Sequence, residues 1–110
     1  LGRTQVKLGR IKDAADTFEN LIAKHFDYTQ AFYSLGEIYS KLGRQGDSHY
    51  YLGIYYKKKA NLKSADFHLK RALENLADPD KKAKIEEMLK KIRKEIKMMR
   101  NQESTKVRMR

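Results

Sequence analysis

The chain has 110 residues, enough for one small domain, with 40% hydrophobic residues, a single proline and a net charge of +11. That apolar content sets it apart from disordered tracts. The absence of cysteine excludes a disulfide framework or a thiolate metal site, and no apolar run is long enough to span a bilayer.

Helical periodicity runs through almost the whole sequence. Ile11 to Phe26 reads as a helix with Ala14, Ala15, Phe18, Leu21 and Ile22 on one face. The connector Asp27-Tyr28-Thr29 offers Thr29 as a cap for a second helix, Gln30 to Leu42, which carries Phe32, Leu35, Gly36 and Tyr39 at i, i+3, i+4 and i+7. Gly43 to Asp47 is a turn, with Asp47 or Ser48 expected to cap the third helix, Ser48 to Lys59. The fourth helix spans Leu62 to Leu76. Asp78-Pro79 is a strong helix start, with Asp as N-cap and Pro at the first position, where its missing N–H costs nothing. The fifth helix runs to about Met99 with a narrow apolar stripe of Ile85, Met88, Leu89, Ile92, Ile96 and Met99. Residues 101–110 show no period and read as a flexible basic tail. No strand pattern is present, so the fold class is all-α. Turns of three to five residues predict antiparallel helix hairpins. The chain opens at Leu1 in what reads as mid-helix, so it is expected to be a piece of a larger protein.

Charge is uneven along this array. Residues 1–80 hold 13 Lys and Arg against 10 Asp and Glu, whereas residues 81–110 hold 12 against 4. The basic character belongs mostly to the fifth helix and the tail.

Three of the Leu-Gly pairs stand out: Leu1-Gly2, Leu35-Gly36 and Leu52-Gly53, the last two each followed three residues on by a tyrosine, Tyr39 and Tyr56. Glycine inside a helix costs about 1 kcal/mol relative to alanine, so close helix packing should compensate. The expected partners are small or branched residues further on: Ser48 and Leu52 lie twelve and sixteen residues after Gly36, and Ala65 and Leu69 stand at the same offsets from Gly53.

This pattern resembles the tetratricopeptide repeat (TPR), a 34-residue helix–turn–helix unit with a W-x2-L-G-x2-Y…A-x3-F…P signature. In residues 46–79 the matching positions are His49, Leu52, Gly53, Tyr56, Ala65, Leu69 and Ala72, with Pro79 two residues late. Residues 1–28 match through Leu1-Gly2, Ala14 and Phe18, and Gly2 to Gly36 is one full period. The resemblance implies a short right-handed TPR-like solenoid over residues 1–79, its first repeat truncated. A basic amphipathic capping helix would follow at 80–100, and the tail at 101–110. The seventeen residues between Gly36 and Gly53 are half a period, an irregularity centred on residues 43–47. It makes the third helix serve both as the second helix of one repeat and the first of another. More loosely, residues 46–73 resemble the C-terminal TPR region of bacterial membrane-associated zinc metalloproteases, which guides substrates or docks the enzyme to envelope machinery.

Catalytic chemistry has little footing in the residues. His25, His49 and His68 are not spaced for a metal site, and there is no nucleophile elbow or phosphate-binding loop. No enzyme activity, cofactor or metal is expected of this chain. Its seven tyrosines all lie between residues 28 and 56, more than a small core needs, and tyrosine is enriched at binding hot spots. By position, the resemblance implies a partner-binding groove lined by Arg3, Lys7, Tyr33, Glu37, Lys41, Tyr50, Ile54, Lys57 and Lys58. The expected function is protein–protein interaction: a groove holding a peptide or helix of a partner protein, its side chains buried on Tyr33 and Tyr50 and its acidic groups paired with lysines. The alternative is an electrostatic tether to an anionic membrane or, with no aromatic residue after Phe67 for base stacking, less readily to nucleic acid. If the metalloprotease resemblance holds, the compartment is the bacterial periplasm or membrane surface; otherwise it is the cytoplasm.

Overall fold

The computed structural model describes the backbone of residues 2–108 and the side chains of residues 7–102. Five α-helices make up nearly all of it: α1 (Gly2–Lys24), α2 (Thr29–Lys41), α3 (Gln45–Lys58), α4 (Leu62–Asn75) and α5 (Pro79–Arg108). No strand occurs among the described residues. The turns between helices are three or four residues long, and each helix packs on the next, from α1 on α2 to α4 on α5.

The glycines of α2 and α3 set how closely these helices approach. A Cβ on Gly36 would lie 2.6 Å from the Leu52 side chain and 3.4 Å from the Ser48 carbonyl oxygen. The Ser48 hydroxyl donates to the Gly36 carbonyl at 2.6 Å, a buried bond that ties α3 to the backbone of α2. One step later the arrangement recurs: a Cβ on Gly53 would lie 2.6 Å from the Leu69 side chain, and Ala65, in the place of Ser48, is fully buried. The third helix is therefore leucine donor to α2 and glycine acceptor for α4, and no helix is missing at the seventeen-residue spacing.

The turns repeat at the same interval. After α2, Arg44 N–H donates to the Tyr39 carbonyl and Gly43 N–H to that of Ser40; after α3, Asn61 N–H donates to Tyr56 and Ala60 N–H to Lys57. Both are Schellman closures, which need a left-handed residue after the helix. Gly43 supplies it at φ +75° and Ala60 at φ +61°. Asn61 then caps α4, its side chain accepting from Ser64 N–H at 3.3 Å.

Two apolar clusters fill the interior. One joins Ala15, Phe32, Leu35, Tyr39, Tyr51 and Ile54 from α1, α2 and α3; the other joins Ala65, Leu69, Ala72, Ile85, Leu89 and Ile92 from α4 and α5. Tyr50 and Met88 pack against both. Fully burying residues such as Ile85 and Ile92 contributes about 1.5–3 kcal/mol each, which holds an otherwise charged helix in place.

Several local expectations are corrected. The helix–turn–helix expected of residues 1–28 is a single unbroken helix, because Gly9 touches nothing within 4 Å and a lone glycine costs too little to end a helix. Helix α3 starts three residues early, at Gln45, with no side-chain cap. Asp47 is instead buried in ion pairs and Ser48 is committed to Gly36. Tyr28, not Thr29, occupies the N-cap of α2. Asp78 does cap α5, accepting from Asp80 N–H at 3.0 Å. The helix continues past Met99 to Arg108, since residues 100–108 contain neither Gly nor Pro to stop it.

Two substitutions test the packing and the turn. Gly53→Ala should destabilise by about 1–3 kcal/mol in denaturant unfolding through overpacking, and by more than Gly36→Ala, because Leu69 is fully buried while Leu52 is partly exposed and can yield. Ala60→Gly should stabilise by roughly 1 kcal/mol by removing the left-handed strain of a Cβ.

Candidate functional site

Helix α3 presents two recesses on nearly opposite faces. Its residues 50, 54, 57 and 58 fall on one side at 100° per residue, and 45, 49, 52 and 56 on the other.

The first recess, about 520 Å³, lies between α3, α5 and the α1–α2 turn. Phe26, Tyr50, Ile54 and Met88 form its apolar surface, and Lys57, Lys58, Lys84, Lys91 and Glu87 stand around it. The Lys58 ammonium sits 3.8 Å above the Phe26 ring and 5.2 Å from that of Phe32, so an exposed phenylalanine is held beside the recess by a cation–π contact. Burial raises the pKa of the Tyr50 hydroxyl, with Lys81 opposing, and this keeps it protonated and able to donate.

At the start of α3 the carboxylate of Asp47 is buried. It pairs with Arg44 at 2.6 Å and with Lys81, in the first turn of α5, at 2.8 Å. Lys81 also lies 5.7 Å from the Tyr50 ring. The start of α5 is thereby tethered to the start of α3, and the two helices flank a trough. On the far side, Glu19 of α1 accepts hydrogen bonds from the hydroxyls of Tyr39 and Tyr51, the latter at 3.2 Å. The two rings stack at 5.5 Å. Burial first, then Glu19, raises the Tyr39 pKa; burial is also the leading cause at Tyr51, followed by the Glu19 charge. These two tyrosines lock α1, α2 and α3 together and are withdrawn from any binding role.

The second recess, about 600 Å³, lies between α2, α3 and α4 and is lined by Tyr33, Glu37, Lys41, Gln45, His49, Tyr56 and His68, among others. His49 and His68 approach with their Nδ1 atoms 3.0 Å apart, so one imidazole must donate and the other accept. The Tyr56 ring stacks on His68 at 5.3 Å. Burial lowers the pKa of both histidines, with Arg71 adding to the effect at His49 and His49 at His68. Glu37, one turn along α2, raises the Tyr33 hydroxyl through a hydrogen bond.

The residues expected to share one groove are thus divided. Tyr50, Ile54, Lys57 and Lys58 line the first recess; Tyr33, Glu37 and Lys41 line the second. Tyr33 and Tyr50 cannot close on the same side chain. Lys7 is exposed on α1 and belongs to neither recess, and Arg3 lies outside the described side chains. Residues 84, 87, 88 and 91 were not foreseen, although their spacing on α5 marks one helical face beside the buried stripe. Phe26 carries no such signal.

Among the described residues, no group of three or more His, Asp or Glu side chains is placed to hold a metal ion, and no helix is long and apolar enough to cross a membrane. Compared with protein-family models, with curated proteins and with solved structures, the chain gives no match.

The histidine pair makes stability depend on pH. Both folded-state pKa values lie below the ordinary 6.5, so the unfolded chain binds more protons below that value. The pair's contribution is intact above about pH 6.5 and is lost as pH falls through the folded values. Arg71 from α4 and Lys41 from α2 add positive charge on this face, and Glu37 opposes them. The melting temperature should fall between about pH 7.5 and 5.5, and His68→Gln should flatten that slope.

Proposed function

We propose that this chain is a protein-interaction module: antiparallel hairpins stacked as a short TPR-like solenoid, on which a segment of a partner protein docks. The observation that carries this reading is the recess between α3 and α5, an apolar surface of Tyr50, Ile54 and Met88 that none of the described side chains fills. Its volume lies within the range of ligand-binding clefts, about 300–1,000 Å³. The recurrence of the glycine–leucine contact from α2 to α3 and from α3 to α4 supports the repeat architecture. In a larger bacterial protein, such as the membrane-associated zinc metalloproteases that residues 46–73 resemble, the module would recruit substrates or partners and perform no chemistry itself.

A second reading is favoured by α5. A further recess at its distal half is lined by Lys59, Lys63 and Arg100 with no carboxylate among the described residues, and Met98 and Met99 are exposed nearby. That surface suits an anionic one, and the module would then be an electrostatic tether.

Two charge-matched variants separate these readings in a pull-down from cell extract. Lys84→Glu with Lys91→Glu alters the first recess, while Lys90→Glu with Lys94→Glu makes the same change in net charge elsewhere on exposed α5. A docking site predicts that specific proteins are retained at moderate salt and lost only with the first pair. Equal loss with both pairs, together with release by salt, would favour the tether.

A further inference from the structure

We infer that the occupant of the α3–α5 recess is an acidic protein segment presenting one bulky apolar side chain between carboxylates, an inference that rests on the docking function proposed above. The charge around the recess is one-sided: Lys57 and Lys58 from α3 and Lys84 and Lys91 from α5, against Glu87 alone. The cations do not converge. Lys84 and Lys91 are seven residues apart on α5, two turns or about 10.5 Å along the axis, and the α3 lysines stand across the trough. A compact anion such as inorganic phosphate could engage only one end of such an array, whereas a polypeptide with carboxylates one or two turns apart engages both.

The middle of the recess dictates the rest of the partner. Glu87 sits between Lys84 and Lys91, one turn from each, and repels a carboxylate placed at the centre. Beside it, Tyr50, Ile54 and Met88 offer an apolar surface, to which Met88 adds an adaptable thioether. The complementary sequence is therefore acidic, apolar, acidic, in that spatial order. Phe26, 63% exposed and fixed by Lys58, offers an open ring edge for the same apolar side chain. A helix laid in the trough meets these requirements with residues at i, i+3 or i+4, and i+7.

The test is fluorescence anisotropy with three labelled synthetic peptides: glutamates flanking a central phenylalanine, the same peptide with alanine at the centre, and a lysine-flanked phenylalanine peptide. The acidic phenylalanine peptide should bind, and each of the other two should bind at least about tenfold more weakly, as loss of a hot-spot contact does. Lys84→Glu with Lys91→Glu should abolish binding; Lys90→Glu with Lys94→Glu should leave it within a few fold. Circular dichroism on both variants excludes unfolding as the cause. Equal binding of the alanine or lysine-flanked peptide, or insensitivity to Lys84 and Lys91, overturns the inference. So does competition by anionic phospholipid vesicles or single-stranded RNA at that site in preference to the peptide. If no peptide binds while proteins from extract still depend on Lys84 and Lys91, the acidic occupant is wrong and the docking function stands. If neither is observed, both fall.

Discussion

The absence of a side chain at Gly36 and Gly53 is the constraint on which the arrangement rests. Each lets a leucine of the next helix, Leu52 or Leu69, come within a distance that any Cβ would obstruct. Ser48 and Ala65, four residues before those leucines, keep the same approach open. The contacts set the rotation of α3 about its own axis: the rotation that turns Leu52 toward Gly36 leaves Tyr50 and Ile54, on the opposite side, facing the recess beside α5. Interiors packed to crystal-like density give little room for alternative rotations, so the position of the recess follows from two glycines that do not line it.

The trough also requires α5 to be held beside α3, and an ion pair joins the apolar stripe in doing so. Asp47 is buried with Arg44 and Lys81 on either side. A buried carboxylate with one partner removed is strongly unfavourable, which makes the pairing a tether and not an incidental surface contact. The Ile85, Leu89 and Ile92 stripe then binds α5 to α4, while residues 84, 87, 88 and 91 remain beside it as the outer wall of the recess. One helix thus combines a structural face and an available one, separated by about a third of a turn.

Much of the helical pattern was legible in the sequence because its signals are local. Apolar spacing placed the helices, Asp78-Pro79 marked the start of α5, and the offsets of twelve and sixteen from each glycine named its packing partners. Three-residue turns gave no room for anything but consecutive packing. Long-range relations were less accessible. Nothing near Asp47 in sequence distinguishes an N-cap from a carboxylate paired with a lysine thirty-four residues later, and nothing near Glu19 announces two tyrosines from two other helices. The candidate groove was named by position in a repeat, whereas α3 packs on both α2 and α4 and the residues named for the groove line two separate recesses. Tyr33 and Tyr50 are seventeen residues apart, each three residues before a glycine of the close contacts, yet they line different recesses.

The ordering of contacts along the chain bears on how the molecule assembles. Every helix finds its main partner in a helix next to it in the chain, across a turn of three or four residues. Closing such short loops costs little entropy, and chains dominated by near-neighbour contacts have low contact order and fold quickly. Long-range bonds such as Asp47 to Lys81 span few elements and can form once adjacent helices have docked. Tyr50 of α3 and Met88 of α5 pack against both apolar clusters, so these two side chains are where a disturbance in one cluster reaches the other along the 67 Å long axis.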